Sequence, residues 1–116
     1  MRTEKDKQAY RVYRLAGGLL DLCAEQEKVK KAREQAAEQA CAGIGSEQVK
    51  ELLVYAIEEN LKDQQKDGFE MLARRCGLPF SRNEFGRRKK IYAEILVEKV
   101  SATVGKKFGM LFTKGG

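Results

Sequence analysis

The chain has 116 residues and a mass of 13.1 kDa, which fits one small domain and is too short for a barrel or a dinucleotide-binding fold. Charged residues make up 34% of the chain, with 23 Lys or Arg against 17 Asp or Glu, and His is absent. Without His there is no Ser-His or Cys-His nucleophile pair, and the carboxylates show no paired spacing typical of a glycosidase. We therefore expect neither an enzyme nor a cofactor.

The cysteines and the hydropathy pattern also restrict the class of protein. Three widely spaced cysteines, Cys23, Cys41 and Cys76, have no His to complete a zinc site, so we expect small buried side chains in a reducing compartment and no bound metal. The sequence contains no run of about 18 apolar residues and no apolar leader after its first residues. These features predict a cytoplasmic protein without a membrane span.

The positive charge is concentrated in the second part of the chain. Residues 1–67 carry 12 Lys or Arg and 13 Asp or Glu, whereas residues 68–116 carry 11 and 4, a net charge of +7. Such a segment is often only a solvated surface. It is also typical of nucleic-acid binding, because Lys and Arg release the counterions condensed on phosphates.

The composition predicts an all-α protein, and the first segment shows one helical stripe. A single Pro and many Ala, Glu, Lys, Gln and Leu residues favour helices, and the spacing of apolar residues predicts a long helix over residues 5–42. Gly17 and Gly18 interrupt it, which indicates either a bend or the close approach of another helix. The stripe then weakens to small Ala side chains. This weaker part suggests a packing or oligomer surface, so a homodimer through the N-terminal helices is an alternative to a monomer.

A second helix is predicted over residues 47–66. The segment Gly43-Ile44-Gly45 breaks the preceding pattern, and Ser46 follows as an N-cap residue with Glu47 in the first turn. This helix carries its apolar residues on one side and its charged residues on the other, so we expect an ordinary core helix that ends before Gly68.

The next two helices are predicted on either side of a turn. A short helix covers residues 69–76, with Gly77 as its C′ residue. Ser81 and Glu84 then form a capping box, and Phe80 and Phe85 occupy the positions of a hydrophobic staple. The capped helix begins at Arg82 and continues to about residue 104, where Gly105 is expected to end it. Residues 1–105 would form one domain, followed by a basic tail over residues 106–116.

The order of elements in residues 69–97 is that of a helix-turn-helix motif. A short helix, a turn containing Gly77 and a longer helix anchored by Phe85 follow one another. A plain helical hairpin is the alternative. The predicted fold is therefore a small four-helix domain with a long N-terminal helix, a C-terminal helix-turn-helix-like pair and a short basic tail.

Residues of the capped helix fall on two opposed faces at 100° per residue. With Phe85 at 0°, Tyr92 and Leu96 lie within about 20° of it, whereas Asn83, Arg87 and Lys90 lie on the opposite side. A recognition helix needs this layout, since Arg can bind guanine with two hydrogen bonds and Asn can do the same with adenine. The predicted DNA-binding residues are the following: Arg82, Asn83, Arg87, Arg88, Lys90, Arg74 and Arg75.

The string SRNEFGRRKK, residues 81–90, resembles a known family. It is similar to the S-R-x-T-F-Y-R-R-R/K-K stretch of phage late-gene transcriptional activators of the ArpU and RinA kind, whose sigma-like helix-turn-helix contacts promoter DNA, and the resemblance covers residues 72–96. It implies a small regulator from a phage or mobile element. By position it places Ser81 at the cap, Phe85 in the core, and Arg82, Asn83 and Arg87 toward DNA.

Two further function classes compete with a regulator that binds double-stranded DNA. The main alternative is a protein-binding module, such as a phage-encoded inhibitor or adaptor that docks its basic helix on a host nucleic-acid-binding protein. Small size and positive charge suit both. A helical oligomer with a purely structural role is the third reading, and it would tolerate substitution of Arg87 and Lys90.

Overall fold

A computed structural model of the protein describes the backbone of residues 4–63, 70 and 77–113, and the side chains of residues 10–63, 70 and 77–101. The described part of the chain contains four helices and no strand, which confirms the all-α prediction. The helices are α1 (Glu4–Leu22), α2 (Glu27–Ala40), α3 (Glu47–Lys62) and α4 (Arg82–Thr113).

The single helix predicted over residues 5–42 is wrong, because the structure divides this segment into α1 and α2. The break lies at residues 23–26 and not at the Gly17-Gly18 pair. A straight helix over residues 5–42 would span roughly 57 Å, about twice the diameter of a small domain. The break lets Ala16 and Leu20 of α1 and Val29 of α2 enter the same core.

α1 and α3 approach each other closely at Gly17. A Cβ atom added at Gly17 would lie 2.1 Å from the carbonyl oxygen of Leu61, whereas one added at Gly18 would have no atom within 4 Å. Of the two alternatives for this pair, the close approach of another helix is therefore the one observed, and only Gly17 requires it.

The start of the next helix agrees with the local sequence signals, whereas its end lies earlier than the predicted residue 66. The Ser46 Oγ accepts a hydrogen bond from the Val49 backbone N–H at 3.3 Å, which confirms the predicted N-cap of α3. Gly43 has a φ of 85°, the left-handed conformation that a glycine accommodates readily. The helix ends at Lys62, with Asp63 as its C-cap residue.

The core lies between α4 and the other helices. α4 packs mainly against α2 and α1, α1 also packs against α3, and α2 and α3 touch each other only sparsely. The contribution of α4 to the core is a row of buried residues: Phe85, Tyr92, Ala93, Leu96 and Val100. α2 contributes mostly alanines, so its burial depends on the larger side chains of α4.

α4 is longer than predicted. It has 32 residues and continues through Gly105 to Thr113, so the prediction that Gly105 ends the helix is wrong. An isolated glycine inside a helix costs about 1 kcal/mol relative to Ala, which does not end a helix by itself. The predicted helix over residues 69–76 lies outside the described residues, except for Glu70.

Candidate nucleic-acid interface

The start of α4 is fixed by Ser81. Its Oγ accepts a hydrogen bond from the Glu84 backbone N–H at 3.1 Å, and its carbonyl oxygen accepts one from the Phe85 N–H at 3.0 Å. Phe80 is half-buried against the core and Phe85 is buried, as expected for the two residues of the predicted staple. These contacts set the direction in which α4 leaves the turn, and so the direction of its exposed side.

The two faces predicted for α4 are present in the structure. Tyr92 and Leu96 are fully buried, whereas Asn83, Arg87 and Lys90 are exposed on the opposite side of the helix. Arg82 is exposed at the first position of the helix. We name Arg82, Asn83, Arg87 and Lys90 the basic face of α4.

Each cation of the basic face also has an acidic neighbour. Arg87 donates two hydrogen bonds to Glu84, at 3.2 Å from Nε and 2.6 Å from Nη2, and Lys90 lies 4.0 Å from a carboxylate oxygen of Glu94. Arg82 pairs with Glu70. More than half of each basic side chain is exposed, and ion pairs in water add little to stability. A phosphate can therefore compete for these cations.

The pair between Glu84 and Arg87 affects the titration of both groups. The hydrogen bonds from Arg87 lower the pKa of Glu84, and the same bonds raise the pKa of Arg87. Both groups therefore stay charged at neutral pH, and the guanidinium is held near the N-terminal end of α4.

Arg88 is placed differently from the prediction, since it turns toward the body of the protein. Only 11% of its side chain is exposed, and its Nη1 donates to the carbonyl oxygens of Ala40 at 2.8 Å and Ala42 at 3.0 Å. Its guanidinium also lies 5.1 Å from the centre of the Phe80 ring. Because it caps the C-terminal end of α2, we leave Arg88 out of the basic face.

Lys89 also points inward, as its place near the apolar stripe suggests. Its Nζ donates a 2.8 Å hydrogen bond to the side-chain oxygen of Asn60 and lies 4.5 Å from the centre of the Tyr13 ring. Lys89 therefore joins α4 to α3 and α1, while the next residue, Lys90, is exposed. Arg74 and Arg75, the remaining predicted site residues, lie outside the described residues, and so does most of the first helix of the predicted pair.

Sequence reasoning did not predict a half-buried polar network that joins α2, α3 and α4. Arg33 of α2 donates two hydrogen bonds of 2.8 Å to the carboxylate of Glu58 in α3, and the Tyr92 hydroxyl of α4 donates to the same carboxylate. Burial raises the pKa of Tyr92 well above its ordinary value, and the Glu58 charge adds to this effect. The network links three helices. Of its three members, only Tyr92 was expected from the sequence to face the core, because it lies on the apolar stripe of α4.

Other kinds of site find no support in the described part of the chain. No group of three or more His, Cys, Asp or Glu residues there is arranged to hold a metal ion, and Cys23 and Cys41 are free thiols. Within the same residues, no helix has the length and apolar character needed to cross a membrane. No family model, curated protein or solved structure matches the chain.

Proposed function

We propose that the protein is a regulator that binds duplex DNA in the cytoplasm through the basic face of α4. The single observation that carries this proposal is the exposure of Asn83, Arg87 and Lys90 on one side of a helix whose other side is locked into the core by Tyr92 and Leu96. A helix anchored in this way presents its polar side chains in a defined direction, which sequence-specific recognition requires.

Each member of the basic face suits one role in this proposal. Arg87 would read guanine through two hydrogen bonds, and Asn83 would read adenine. Arg82 and Lys90 would contact phosphates and fix the position of the helix in the major groove. Gly86, which has no neighbouring atom within 4 Å of an added Cβ, leaves room for a base or the DNA backbone beside Arg87.

The acidic partners of the basic face are compatible with this role. Glu84 accepts hydrogen bonds from both Arg87 and Arg88, so its negative charge is compensated before DNA approaches. The resemblance of residues 72–96 to phage late-gene activators supports regulation of transcription as the purpose of binding. We therefore propose a phage or mobile-element origin together with the DNA-binding role.

The experiment is a binding selection against random duplex DNA at two salt concentrations, followed by titration of the selected duplex. Affinity should fall linearly in a double logarithmic plot against salt, by about 0.9 log unit per log unit of salt for each phosphate contact. Arg87→Ala should weaken discrimination at one base pair by roughly 1–3 kcal/mol, while Lys90→Ala should weaken all duplexes equally.

The control for these variants is Lys28→Ala, which removes one exposed cation from α2 and keeps the same net charge as Lys90→Ala. It should leave DNA affinity and its salt dependence unchanged. If no duplex is enriched and the salt response is flat, or if Lys28→Ala weakens binding as much as Lys90→Ala does, the DNA-binding proposal is wrong.

One observation favours a second function, a protein-binding module. Glu94 is exposed beside Lys90, so this side of α4 carries charges of both signs, which suits a protein surface with paired charges. Such a module would dock α4 on a host nucleic-acid-binding protein. Glu94→Gln separates the two functions, because it should strengthen DNA binding by removing a repulsive charge and weaken a protein complex that pairs with Glu94.

A further inference from the structure

The sparse contact between α2 and α3 leaves a groove on the protein surface. Its cavity has a volume of about 610 Å³, and Ala37 of α2 with Val54 and Tyr55 of α3 forms its apolar part. Tyr55 is 48% exposed, which is high for a large aromatic side chain. An open groove with an exposed aromatic residue offers an apolar contact to another segment of protein.

The rim of this groove is acidic, although the whole protein carries a net charge of +6. Glu34 and Glu38 line it from α2, and Glu47 and Glu51 line it from α3. Lys50 is the one cation among the described lining residues, and it is paired with Glu47 at 3.1 Å. An occupant that matches this groove must combine apolar side chains with positive charge.

The C-terminal part of α4 has this composition. Residues 106–112 read KKFGMLF, with two lysines followed by four apolar residues, and Phe108 is spaced by three and four positions from Leu111 and Phe112. This spacing places the three apolar residues on one side of a helix, and the structure is helical up to Thr113.

The segment cannot occupy the groove of its own chain while α4 is continuous. α4 runs antiparallel to α2. Arg88 of α4 contacts Ala40 at the end of α2, whereas Tyr92, further along α4, shares the Glu58 carboxylate with Arg33, which lies earlier in α2. From Tyr92 the helix extends by about 31 Å to Thr113, whereas α2 begins only about 9 Å before Arg33. A continuous helix of this length would carry residues 106–112 past the start of α2, away from the groove residues near its other end.

We propose that residues 106–112 of one copy of the protein bind in the α2–α3 groove of a second copy. Lys106 and Lys107 pair with the acidic rim, and the apolar side of the segment covers Tyr55. If each copy binds the segment of the other, the assembly closes as a two-fold dimer. Because α2 forms one wall of the groove, this dimer would use one of the N-terminal helices, as the sequence-based homodimer alternative does. The proposal is independent of DNA binding.

The test compares the association of full-length variants by sedimentation equilibrium. The unmodified chain should be a dimer. The groove variant Glu38→Lys/Glu51→Lys and the segment variant Lys106→Glu/Lys107→Glu should each dissociate, with a dimer dissociation constant raised roughly tenfold or more. An equimolar mixture of the two variants should associate, because both contacts of the mixed dimer then join opposite charges: the basic groove meets the acidic segment, and the acidic groove meets the basic segment.

Two controls make the result decisive. Glu25→Lys/Glu98→Lys changes two exposed acidic residues outside the groove by the same amount of charge, and it should leave the dimer intact. Tyr55→Ser should weaken the dimer without unfolding the protein, which circular dichroism verifies. A chain that stays monomeric at its highest soluble concentration overturns the proposal, and so does a dimer that the groove and segment variants leave unchanged.

Discussion

The Arg88 guanidinium lies 2.8 Å from the Ala40 carbonyl oxygen and joins α4 to the C-terminal end of α2, 48 residues earlier in the chain. Hydrogen bonds from a charged donor are worth about 1.5–3 kcal/mol, so Arg88→Ala should lower the free energy of unfolding by about that amount. Urea denaturation measures this change in the free energy of unfolding.

The neighbouring Arg87 is the matched comparison for Arg88. Its side chain is 57% exposed, so Arg87→Ala should leave the urea midpoint unchanged. Arg88→Lys should restore only part of the stability, because an ammonium group lacks the planar fork that reaches both Ala40 and Ala42. Equal losses in Arg87→Ala and Arg88→Ala would show that Arg88 does not cap α2.

The adjacent glycines of α1 should respond to alanine in opposite ways. Gly17→Ala places a Cβ against the Leu61 backbone, which cannot move as a flexible side chain can, and should cost roughly 1–3 kcal/mol. Gly18→Ala meets open space and should stabilise the protein by about 0.4–1 kcal/mol. Thermal unfolding of both variants tests the α1–α3 contact, and a stabilising Gly17→Ala would contradict it.

Burial of Tyr92 predicts a loss of stability at high pH. The folded protein raises its pKa above the ordinary value of 10.0, so above about pH 10 the unfolded chain loses the phenolic proton while the folded chain keeps it. The unfolded state then binds fewer protons, and the free energy of unfolding falls as pH rises. Below about pH 10 this contribution to stability is fully present.

Tyr92→Phe isolates this effect. Urea denaturation at about pH 8 and about pH 10.5 should show a smaller decrease for the variant than for the unmodified protein. Tyr13, whose pKa is also raised by burial and by Glu94, contributes to the decrease that remains. An identical decrease in both proteins would mean that Tyr92 is not protected inside the fold.

Substitutions of two consecutive lysines should have separate effects, one on stability and the other on DNA binding. Lys89→Ala removes the contacts to Asn60 and Tyr13 and should cost about 1–2 kcal/mol of stability, with little effect on the salt dependence of DNA affinity. Lys90→Ala should leave stability unchanged. It should reduce the slope of log affinity against log salt concentration by the contribution of about one phosphate contact. Denaturation and titration of the two variants measure both quantities, and the reverse pattern would contradict the orientation of α4.

Local signals in the sequence were sufficient to predict the starts of α3 and α4 and the buried row of α4. A cap such as Ser46 or Ser81 bonds to a backbone N–H three residues away, so its effect depends on neighbours in the chain. The row from Phe85 to Leu96 follows from helical periodicity alone.

The break between α1 and α2 and the direction of Arg88 depend on tertiary packing. Residues 23–26 contain no Gly or Pro, and Gln26 caps α2 without a side-chain hydrogen bond, so the sequence shows no stop there. Arg88 lies between the two faces of α4, and its long side chain turns inward because the free carbonyls of α2 lie within its reach. Neither position is encoded by residues nearby in the chain.

The separation in sequence between α2 and α4 has a consequence for synthesis of the protein. A ribosome completes α2 long before it makes Tyr92, Leu96 and Arg88, on which the burial and the capping of that alanine-rich helix depend. Isolated helices of this length are marginal in water. Nascent chains arrested before residue 82 should therefore leave α2 open to proteases, and protection should appear only after α4 has emerged from the exit tunnel.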